Sequence, residues 1–314
     1  MNTLLFSTVC AGLLAGSASV IPYAVDFRRN RRLDHRYYLL NTGAMIRDSE
    51  TGTDGGVFVN KEFHPGYTLI SGLDLLSNQE GLDRERVMRL SEAVLSHAEL
   101  SESGLNFYYR FSWNEGGRII DPPWISCLSQ GLAASLFLRL AALDIRKDGV
   151  MIARKAIDSM MQPLDQGGCL TMDIDGGYFL EEYPVRPSAA VLDGALFGIL
   201  GLFDGLRAGI VEPETIERCL CGVNSRLKRW DFLGMWSTYG DFGYLSPPVY
   251  HSLNVALLSV VCSLAKRYKI NGWQSAAKIV KRWKPREGLL FRMRYAALFW
   301  LVKRARILRR LVNG

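Results

Sequence analysis

Residues 125–145 read ISCLSQGLAASLFLRLAALDI, an almost continuous run of apolar and small side chains. A surface helix would show its apolar residues along one stripe, spaced by the 3.6-residue turn. Here they surround the whole turn, which is typical of a helix with neighbours on most sides. We therefore predict a buried central helix at 125–145 and, around it, a mainly α-helical protein.

Further helices are predicted on both sides of this central helix. Residues 84–100 carry Val87, Leu90 and Val94 at helical spacing, so that one face of the segment is apolar. Proline and glycine residues bound several of the other apolar runs, as expected at helix ends. These runs predict helices at 150–161, 188–206, 214–227, 250–268 and 273–283.

Strand signals are few and local. Residues 169–180 contain two short apolar runs around Asp175-Gly176, a pair favoured in two-residue hairpin turns. A short strand is predicted at 107–113 and a further hairpin at 43–60. Because strands do not alternate with helices, a parallel sheet is not expected. Serial helical hairpins instead predict an incomplete α/α toroid with a few short β-hairpins, its working loops gathered at one end.

Composition indicates a globular chain with an excess of positive charge. The 314 residues are 48% hydrophobic and 22% charged, with a net charge of +7. Residues 278–310 contain a single acidic residue, and a second basic cluster lies near the N-terminus. Such clusters favour anionic partners, here an acidic glycan or an anionic membrane surface. Nucleic acid is not expected, because no nucleic-acid-binding motif accompanies the clusters. The N-terminal cluster consists of Arg28, Arg29, Arg31, Arg32 and Arg36.

Both ends of the chain predict membrane association. Residues 4–25 contain no charged side chain and are about long enough to cross a bilayer; a signal peptide is the alternative. Because arginines follow this run, the positive-inside rule predicts a catalytic domain on the cytoplasmic side. We therefore separate residues 1–27 as a membrane-associated or signal-like segment. Residues 276–314 are predicted as a basic amphipathic helix region; a last core helix fits the same pattern.

The six cysteines predict free thiols rather than a metal site. Cys219 and Cys221 are two residues apart, but no second pair completes a set of metal ligands. The surroundings of most cysteines are apolar. Buried free thiols are therefore expected, which favours a reducing compartment.

Several motifs lie in the middle of the chain and contain glutamate, tyrosine and histidine. A proline-rich start precedes the central helix, and an acidic pair follows the predicted hairpin. In chain order they read PPWISCLSQG at 122–131, YFLEEYPVRPS at 178–188, VLDG at 191–194, GLFD at 201–204, STYGD at 237–241, and Tyr250-His251.

In order and spacing, these motifs resemble the C-terminal domain of the D-glucuronyl C5-epimerases. That family shows Pro-Trp-Ile-Ser…Gln-Gly, Glu-Glu-Tyr-Pro-Thr-x-Pro-Ser, Val-Leu-Asn-Gly and Gly-Leu-Tyr-Asp, then Tyr-Asp-Leu-Arg-His and Tyr-His-x-x-His. HPGY at 64–67 resembles the segment that opens the domain. The resemblance covers roughly residues 60–265, and residues 28–275 are predicted as the epimerase-like domain. It implies an isomerase without cofactor or metal that acts on an acidic polysaccharide, with a homodimer as one expected assembly.

The implied reaction removes the hydrogen at C5 of a glucuronate unit and returns a hydrogen to the opposite face. This hydrogen is α to a carboxylate, so the site needs a base, an opposed acid and donors that hold the carboxylate. The resemblance assigns Glu182 and Tyr250 as the opposed proton-transfer pair. Tyr183 and Tyr239 would assist by hydrogen bonding to the developing charge.

Other residues in the motifs are predicted to bind substrate. Without the resemblance, Glu181 and Glu182 fit an exposed hairpin edge, Tyr250 a helix start and His251 a structural histidine. Asp173, Asp175 and Asp193 fit turns and caps. The predicted substrate-binding residues are Trp124, Gln130, Glu181, Arg186, His251 and Asn254.

Departures from the family pattern leave two other classes of function open. Gly240 and the three residues after it stand in place of Asp-Leu-Arg-His, so the arginine expected to hold the uronate is missing. Asn254 replaces the second histidine, and Asp193 replaces an asparagine. A lyase or hydrolase on an α/α toroid is one alternative; for a hydrolase, Asp231 or Asp241 would be the second carboxylate. A non-catalytic glycan-binding scaffold is the other.

Overall fold

The computed structural model describes residues 37–39, 46, 49–77, 81–115, 117–242, 244–284, 290, 293–295, 297–298 and 301. The predicted membrane segment at 1–27, the N-terminal arginine cluster and most of the predicted basic helix at 276–314 lie outside the described residues. Within them, the helices are α1 Pro65–Ser77, α2 Arg84–Ser96, α3 Cys127–Ala142, α4 Gly149–Met160, α5 Leu192–Arg207, α6 Pro213–Trp230, α7 Pro248–Arg267 and α8 Gln274–Trp283.

Short antiparallel strands connect the helices, so the described part of the chain is mainly α-helical, as predicted. The first three strands form one small sheet, and the others pair as hairpins between helices. The strands are β1 Glu50–Thr51, β2 Val57–Val59, β3 Glu62–Phe63, β4 Ala98–Ser101, β5 Gly104–Phe107, β6 Trp113–Glu115, β7 Arg118–Ile120, β8 Leu170–Met172, β9 Tyr178–Leu180, β10 Asp231–Phe232 and β11 Trp236–Ser237.

The apolar run at 125–145 forms α3, which lies at the centre of the core. Ser126 caps its N-terminus, where the side chain accepts a hydrogen bond from the Leu128 amide. Helix α3 packs closely against α5 because glycines face each other where the helices meet. A Cβ atom added to Gly131 would lie 2.5 Å from the carbonyl oxygen of Phe197, and one added to Gly201 2.6 Å from that of Gly131.

Alternate helices pack against one another along the chain. α1 contacts α3, α3 contacts α5, and α5 contacts α7, while α2, α4, α6 and α8 each pack against the preceding helix. The inner helices α3 and α5 are buried along most of their length. Helix α2 buries one face, through Val87, Leu90 and Val94 among others, as its spacing predicts. This arrangement gathers the segments that precede α1, α3, α5 and α7 around one cavity, described below.

Three local predictions are wrong. The strand predicted at 107–113 does not form, since β5 ends at Phe107, β6 begins at Trp113, and Tyr109 between them makes only an isolated bridge to Trp124. The helix predicted at 188–206 begins only at Leu192, because residues 188–191 are used to hold Glu181: the Ala190 amide donates to its carboxylate over 3.3 Å. The hairpin at 169–180 forms, but its turn is not the two-residue Asp175-Gly176 turn. Met172 pairs with Tyr178, which leaves a five-residue loop that a hydrogen bond from the Asp173 amide to the Gly177 carbonyl closes.

Among the described residues, one helix, α7, is long and apolar enough to cross a membrane. Within the protein, 78% of its most apolar window is buried, and the core helix of a globular domain passes the same test of length and composition. The buried side of α7 faces α5.

The described cysteines are free thiols. Cys127, Cys169, Cys219 and Cys262 are buried as predicted, and burial raises the pKa of each thiol. Cys221 is exposed instead, because the outer face of α6 carries it toward solvent.

Candidate active site

A cavity of about 140 Å³ lies where the loops before α3, α5 and α7 meet the start of α1 and the β6–β7 hairpin. Its wall combines aromatic rings with carboxyl groups. It is lined by His64, Tyr67, Ile70, Tyr109, Phe111, Trp113, Glu115, Trp124, Ser126, Leu128, Glu182, Tyr183, Asp193, Tyr239 and Tyr250.

The two glutamates after β9 point in different directions: Glu181 lies in the core and Glu182 lines the cavity. Glu181 is fully buried, its amide donates to the Cys169 carbonyl over 2.7 Å, and its carboxylate accepts from Ser188 and the Ala190 amide. Glu181 therefore fixes the loop before α5. Glu182 turns the other way and lines the cavity. The alternative of an exposed hairpin edge is wrong, since even Glu182 is only 9% exposed.

The Glu182 side chain lies directly against the start of α5. A Cβ atom added to Gly194 would lie 2.4 Å from Glu182 Oε2 and 2.5 Å from its Cβ, closer than side chains approach. Any residue other than glycine at 194 would displace this carboxyl group. In the VLDG motif, the carboxyl group of Asp193 is thus followed directly by Gly194, whose missing side chain leaves room for Glu182.

Glu182 and Asp193 influence each other's ionisation. Burial raises the pKa of Glu182 well above its usual value, and repulsion from Asp193 raises it further. Burial raises the pKa of Asp193 to about 7. Both shifts favour the neutral form, because a charge in this cavity loses its hydration. A carboxyl group with a pKa near neutrality can give or take a proton at working pH.

Three tyrosines reach the cavity from three different segments. The hydroxyl groups of Tyr183 and Tyr239 are 3.3 Å apart, and the ring of Tyr239 meets that of Tyr250 edge to face, with centroids 5.4 Å apart. Burial raises the pKa of both Tyr183 and Tyr239, so both are neutral hydrogen-bonding groups at rest. Tyr250 lies half-buried in the first turn of α7.

The loop after β11 is shaped to hold Tyr239 in place. The Tyr239 amide donates to the Tyr244 carbonyl over 2.9 Å, and the Asp241 amide donates to the Ala189 carbonyl over 2.7 Å. Gly240 between them has a φ of 54°, and a Cβ atom there would lie 2.4 Å from the same Ala189 oxygen. The loop that replaces the family's Asp-Leu-Arg-His therefore packs against the loop before α5.

Further aromatic rings line the cavity. Trp124 stacks on Tyr109 with centroids 4.2 Å apart, and its indole donates to the Phe111 carbonyl over 3.0 Å. His64 stacks on Tyr67 at 3.8 Å, and its Nδ1 accepts a hydrogen bond from the Tyr67 amide. Burial lowers the pKa of His64 to about 4, so this ring is neutral near pH 7. Flat apolar faces of this kind suit the C–H faces of a sugar ring.

Among the described residues that line the cavity, none is lysine or arginine. Arg118 of the β6–β7 hairpin lies outside the lining: its guanidinium donates to the Pro187 and Ser188 carbonyls and lies over the Phe242 ring. The Tyr244 hydroxyl donates to Glu115 on the same hairpin. These contacts fix the hairpin over the cavity without bringing a positive charge into it.

Half of the predicted site residues meet at the cavity, namely Trp124, Glu182, Tyr183, Tyr239 and Tyr250. Their catalytic and binding roles remain predictions. The other half lie elsewhere. They are Gln130, Glu181, Arg186, His251 and Asn254.

Most of these other residues are buried and have structural contacts. Gln130 joins α3 to β5 and α4, as its side chain accepts from the Phe107 amide and donates to the Leu105 and Ala156 carbonyls. His251 Nδ1 lies 3.1 Å from the Ser237 amide, and Asn254 donates to the Ser237 hydroxyl. Arg186 is exposed and does not line the cavity. These positions favour the structural interpretation for His251.

The carboxylates predicted as partners of Glu182 in a hydrolase are elsewhere too. Asp231 is paired with Arg282 at 2.5 Å, and Asp241 with Arg229 at 3.1 Å. Two carboxyl groups share the cavity with Glu182, namely Glu115 and, at the start of α5, Asp193. Asp193 stands at a motif position, where the resemblance has an asparagine, so the sequence already marked it as a candidate. An aspartate at a helix start fits a capping role equally well, and the sequence alone could not decide between the two.

Other cavity residues are less visible in the sequence. Glu115 and Tyr109 lie in a stretch for which only a short strand is predicted. Their place in the cavity depends on the β6–β7 hairpin and on the pairing of Tyr109 with Trp124. No group of three or more His, Cys, Asp or Glu side chains able to hold a metal ion occurs in the described part of the chain.

Comparison with known families gives one match. The sequence model of the family described as "D-glucuronyl C5-epimerase C-terminus" matches residues 99–284. The matched region runs from β4 to the end of α8 and contains the four predicted catalytic residues and Asp193. It covers more than half of the 314-residue chain.

Proposed function

Because the chain belongs to the family of D-glucuronyl C5-epimerase C-terminal domains, we propose that it is a uronic acid C5-epimerase acting on a glucuronate-containing polysaccharide. The observation that supports this most is the meeting of Glu182, Tyr183, Tyr239 and Tyr250 at one cavity. These four side chains come from three separate segments of the chain. They combine a carboxyl group of raised pKa with three tyrosine hydroxyl groups.

In the proposed reaction, the sugar ring lies between the carboxyl side and the tyrosine side of the cavity. The Glu182 carboxylate takes the C5 proton, and the electron pair of the broken C–H bond moves into the uronate carboxyl group. The Tyr250 hydroxyl then delivers a proton to C5 from the opposite face. The raised pKa of Glu182 makes its carboxylate a stronger base than an exposed glutamate.

This step leaves Tyr250 as a tyrosinate, which regains a proton before the next turnover. The hydrogen-bonded hydroxyl groups of Tyr183 and Tyr239, 3.3 Å apart, offer a route by which the proton taken up by Glu182 returns to the tyrosine side. The same hydroxyl groups are donors for the negative charge that develops on the uronate carboxyl group. Trp124 is proposed as the aromatic platform on which the sugar packs.

The test is deuterium exchange into a defined glucuronate polymer, heparosan, in deuterated water. NMR is expected to show deuterium at C5 and the appearance of iduronate. Tyr250→Phe and Glu182→Gln are each expected to reduce exchange at least about 100-fold, the usual effect of removing a general acid or base. Tyr178→Phe is the matched control, because Tyr178 lies outside the cavity under Arg218.

Exchange that persists in both variants would overturn the proposed roles. No exchange on a panel of uronate polymers would overturn the proposed activity on those substrates. A lyase is the second candidate, because it begins with the same C5 proton abstraction and then expels the group at C4. It would form an unsaturated product that absorbs in the ultraviolet, which is read from the same samples. Chain cleavage without that absorbance would instead indicate a hydrolase using Glu182 and Asp193.

We also propose the finer architecture and setting. Consecutive contacts between α1, α3, α5 and α7, each covered by the next helix in sequence, support an incomplete α/α toroid. The exposed Lys278, Lys281 and Lys284 on and just after α8 support docking on an anionic membrane surface. The arginines that follow residues 4–25 are the ground for proposing that the catalytic domain lies on the cytoplasmic side. Co-sedimentation with vesicles containing anionic lipid, compared with neutral vesicles, tests the docking; a homodimer is tested by light scattering.

A further inference from the structure

The position of Asp193 sets this chain apart from the pattern that it otherwise resembles. The family motif has an asparagine there, and this chain has an aspartate that is 3% exposed and lines the cavity. An ionisable group thus lies buried inside the proposed site. Burial of an unpaired charge is costly, so the carboxyl group needs a compensating proton or ligand.

Glu182 and Asp193 are close neighbours. The Glu182 side chain lies against Gly194, the residue that follows Asp193, within 2.4 Å of where a Cβ atom would stand. Glu182 Oε2 and Asp193 Oδ1 are both buried, and neither has a hydrogen-bond partner among the described residues. Both residues line the same cavity. A proton between them, or a donor from a ligand, would satisfy both.

The groups around the pair offer hydroxyl donors but no positive charge. The Arg and Lys side chains of the described chain are absent from the cavity wall, and the buried His64 is neutral near pH 7. The remaining titratable groups that face the pair from neighbouring elements are Glu115, Tyr67, Tyr109, Cys127, Tyr183, Tyr239 and Tyr250. Two adjacent buried carboxyl groups in such surroundings cannot both ionise readily.

We propose that Glu182 and Asp193 form a proton-sharing carboxyl pair whose proton hydrogen-bonds to the carboxylate of the bound uronate. The identity of the ligand rests on the proposed function. The pair carries one proton and one negative charge. One carboxyl group donates to the uronate carboxylate, and the other takes the C5 proton as the C–H bond breaks. A neutral carboxyl group held in an apolar site is an effective donor to a developing enolate.

In this proposal, substrate binding is coupled to proton uptake. The donor exists only while the pair keeps its proton, and a fully ionised pair would repel an anionic uronate. The pKa of Asp193, raised to about 7, places the loss of that proton within reach of ordinary buffers. The two protonation steps belong to the pair rather than to either residue. Binding is therefore expected to take up protons and to weaken as pH rises above neutrality.

The first test is isothermal titration calorimetry of the whole protein with a heparosan oligosaccharide at pH 6, 7 and 8. Two buffers of different ionisation enthalpy give the number of protons taken up. For the wild type, Kd is expected to rise toward tenfold per pH unit on the alkaline side, with uptake approaching one proton. Asp193→Asn supplies an amide donor that does not titrate, so both effects are expected to disappear. Asp165→Asn is the control, because Asp165 is exposed and outside the cavity.

A Kd that is independent of pH in the wild type, or a pH slope that survives in Asp193→Asn, overturns the proposal. Failure to bind any uronate oligosaccharide overturns its ligand. The pair itself is tested without ligand, by carbon-13 NMR titration of labelled carboxyl groups in the wild type. Sharing predicts two coupled steps, one of them near neutrality; titration of both groups below about pH 5 overturns it. Proton-linked binding without C5 exchange would refute the proposed activity alone.

Discussion

Replacing Gly194 by alanine tests whether the position of the Glu182 carboxyl group controls activity. The new methyl group would stand 2.4 Å from Glu182 Oε2, 2.5 Å from its Cβ and 2.8 Å from its Cγ. A normal contact needs at least about 3.4 Å, so the side chain must move by roughly 1 Å. A displacement of that size at a reacting group costs on the order of 100-fold in rate.

The effect on stability is expected to be much smaller. An extra methyl group in a packed region costs about 1–3 kcal/mol, and alanine recovers up to about 1 kcal/mol of helix propensity over glycine. The expected net change is a loss of about 1–2 kcal/mol. The chain therefore stays folded while kcat falls, which separates misplacement of Glu182 from unfolding.

Gly198→Ala is the matched control for this experiment. It lies one turn further along α5, where the added methyl group would meet Leu180 Cδ1 at 2.9 Å without touching Glu182. Urea unfolding is expected to show similar losses for both variants, while deuterium exchange at C5 falls only in Gly194→Ala. Exchange within about threefold of the wild type in Gly194→Ala would refute the reasoning, since the carboxyl group would then tolerate displacement.

Four further predictions concern stability. Asp204→Asn removes the buried negative charge that faces the guanidinium of Arg139, which is 2.6 Å away and 3% exposed in the wild type, and is expected to cost about 3–5 kcal/mol in urea unfolding. Glu85→Gln at an exposed pair should cost less than about 1 kcal/mol in the same assay. Trp230→Phe removes the indole donor to the Ala190 carbonyl, and the orphaned oxygen and lost volume are expected to cost about 2 kcal/mol in thermal unfolding. The pKa of Asp193 rises from about 4 in the unfolded chain to about 7 in the folded protein, so the native state binds more protons between these pH values. The contribution of Asp193 to stability is therefore greatest below pH 4 and is lost as pH rises to 7. Asp193→Asn should flatten that part of the curve of Tm against pH.

The helices and the family could be predicted because their signals are local or extended along the chain. The apolar run at 125–145 can be stable only if it is surrounded, and α3 lies in the centre of the core. The motifs between residues 122 and 251 follow the family's order over many positions, which is not expected by chance. The family match over residues 99–284 agrees with this resemblance. The predicted helix boundaries were less accurate. Helix α5 begins at Leu192 because Ser188 and Ala190, in the segment before it, hold the Glu181 carboxylate, which is a tertiary requirement.

Which motif residues reach the cavity could be predicted only in part. Glu181 and Glu182 are adjacent, both are acidic, and both match the motif. They nevertheless face opposite sides, because residues of an extended segment alternate in direction. Likewise, Tyr250 lines the cavity while His251 turns into the core against Trp236, with ring centroids 3.7 Å apart. A motif identifies a segment, and the packing on its two sides decides which member of the segment faces the ligand.

By itself, the amino-acid sequence determined the mainly helical class, the family and the segments that carry the candidate chemistry. These depend on residue type and spacing along the chain. Only the tertiary structure decided that Asp193 lines the same cavity as Glu182, that Arg118 is held outside the cavity wall, and that no described lining residue is a cation. Such facts depend on distances between segments far apart in the chain, and on burial, which sets how strongly each charge is felt.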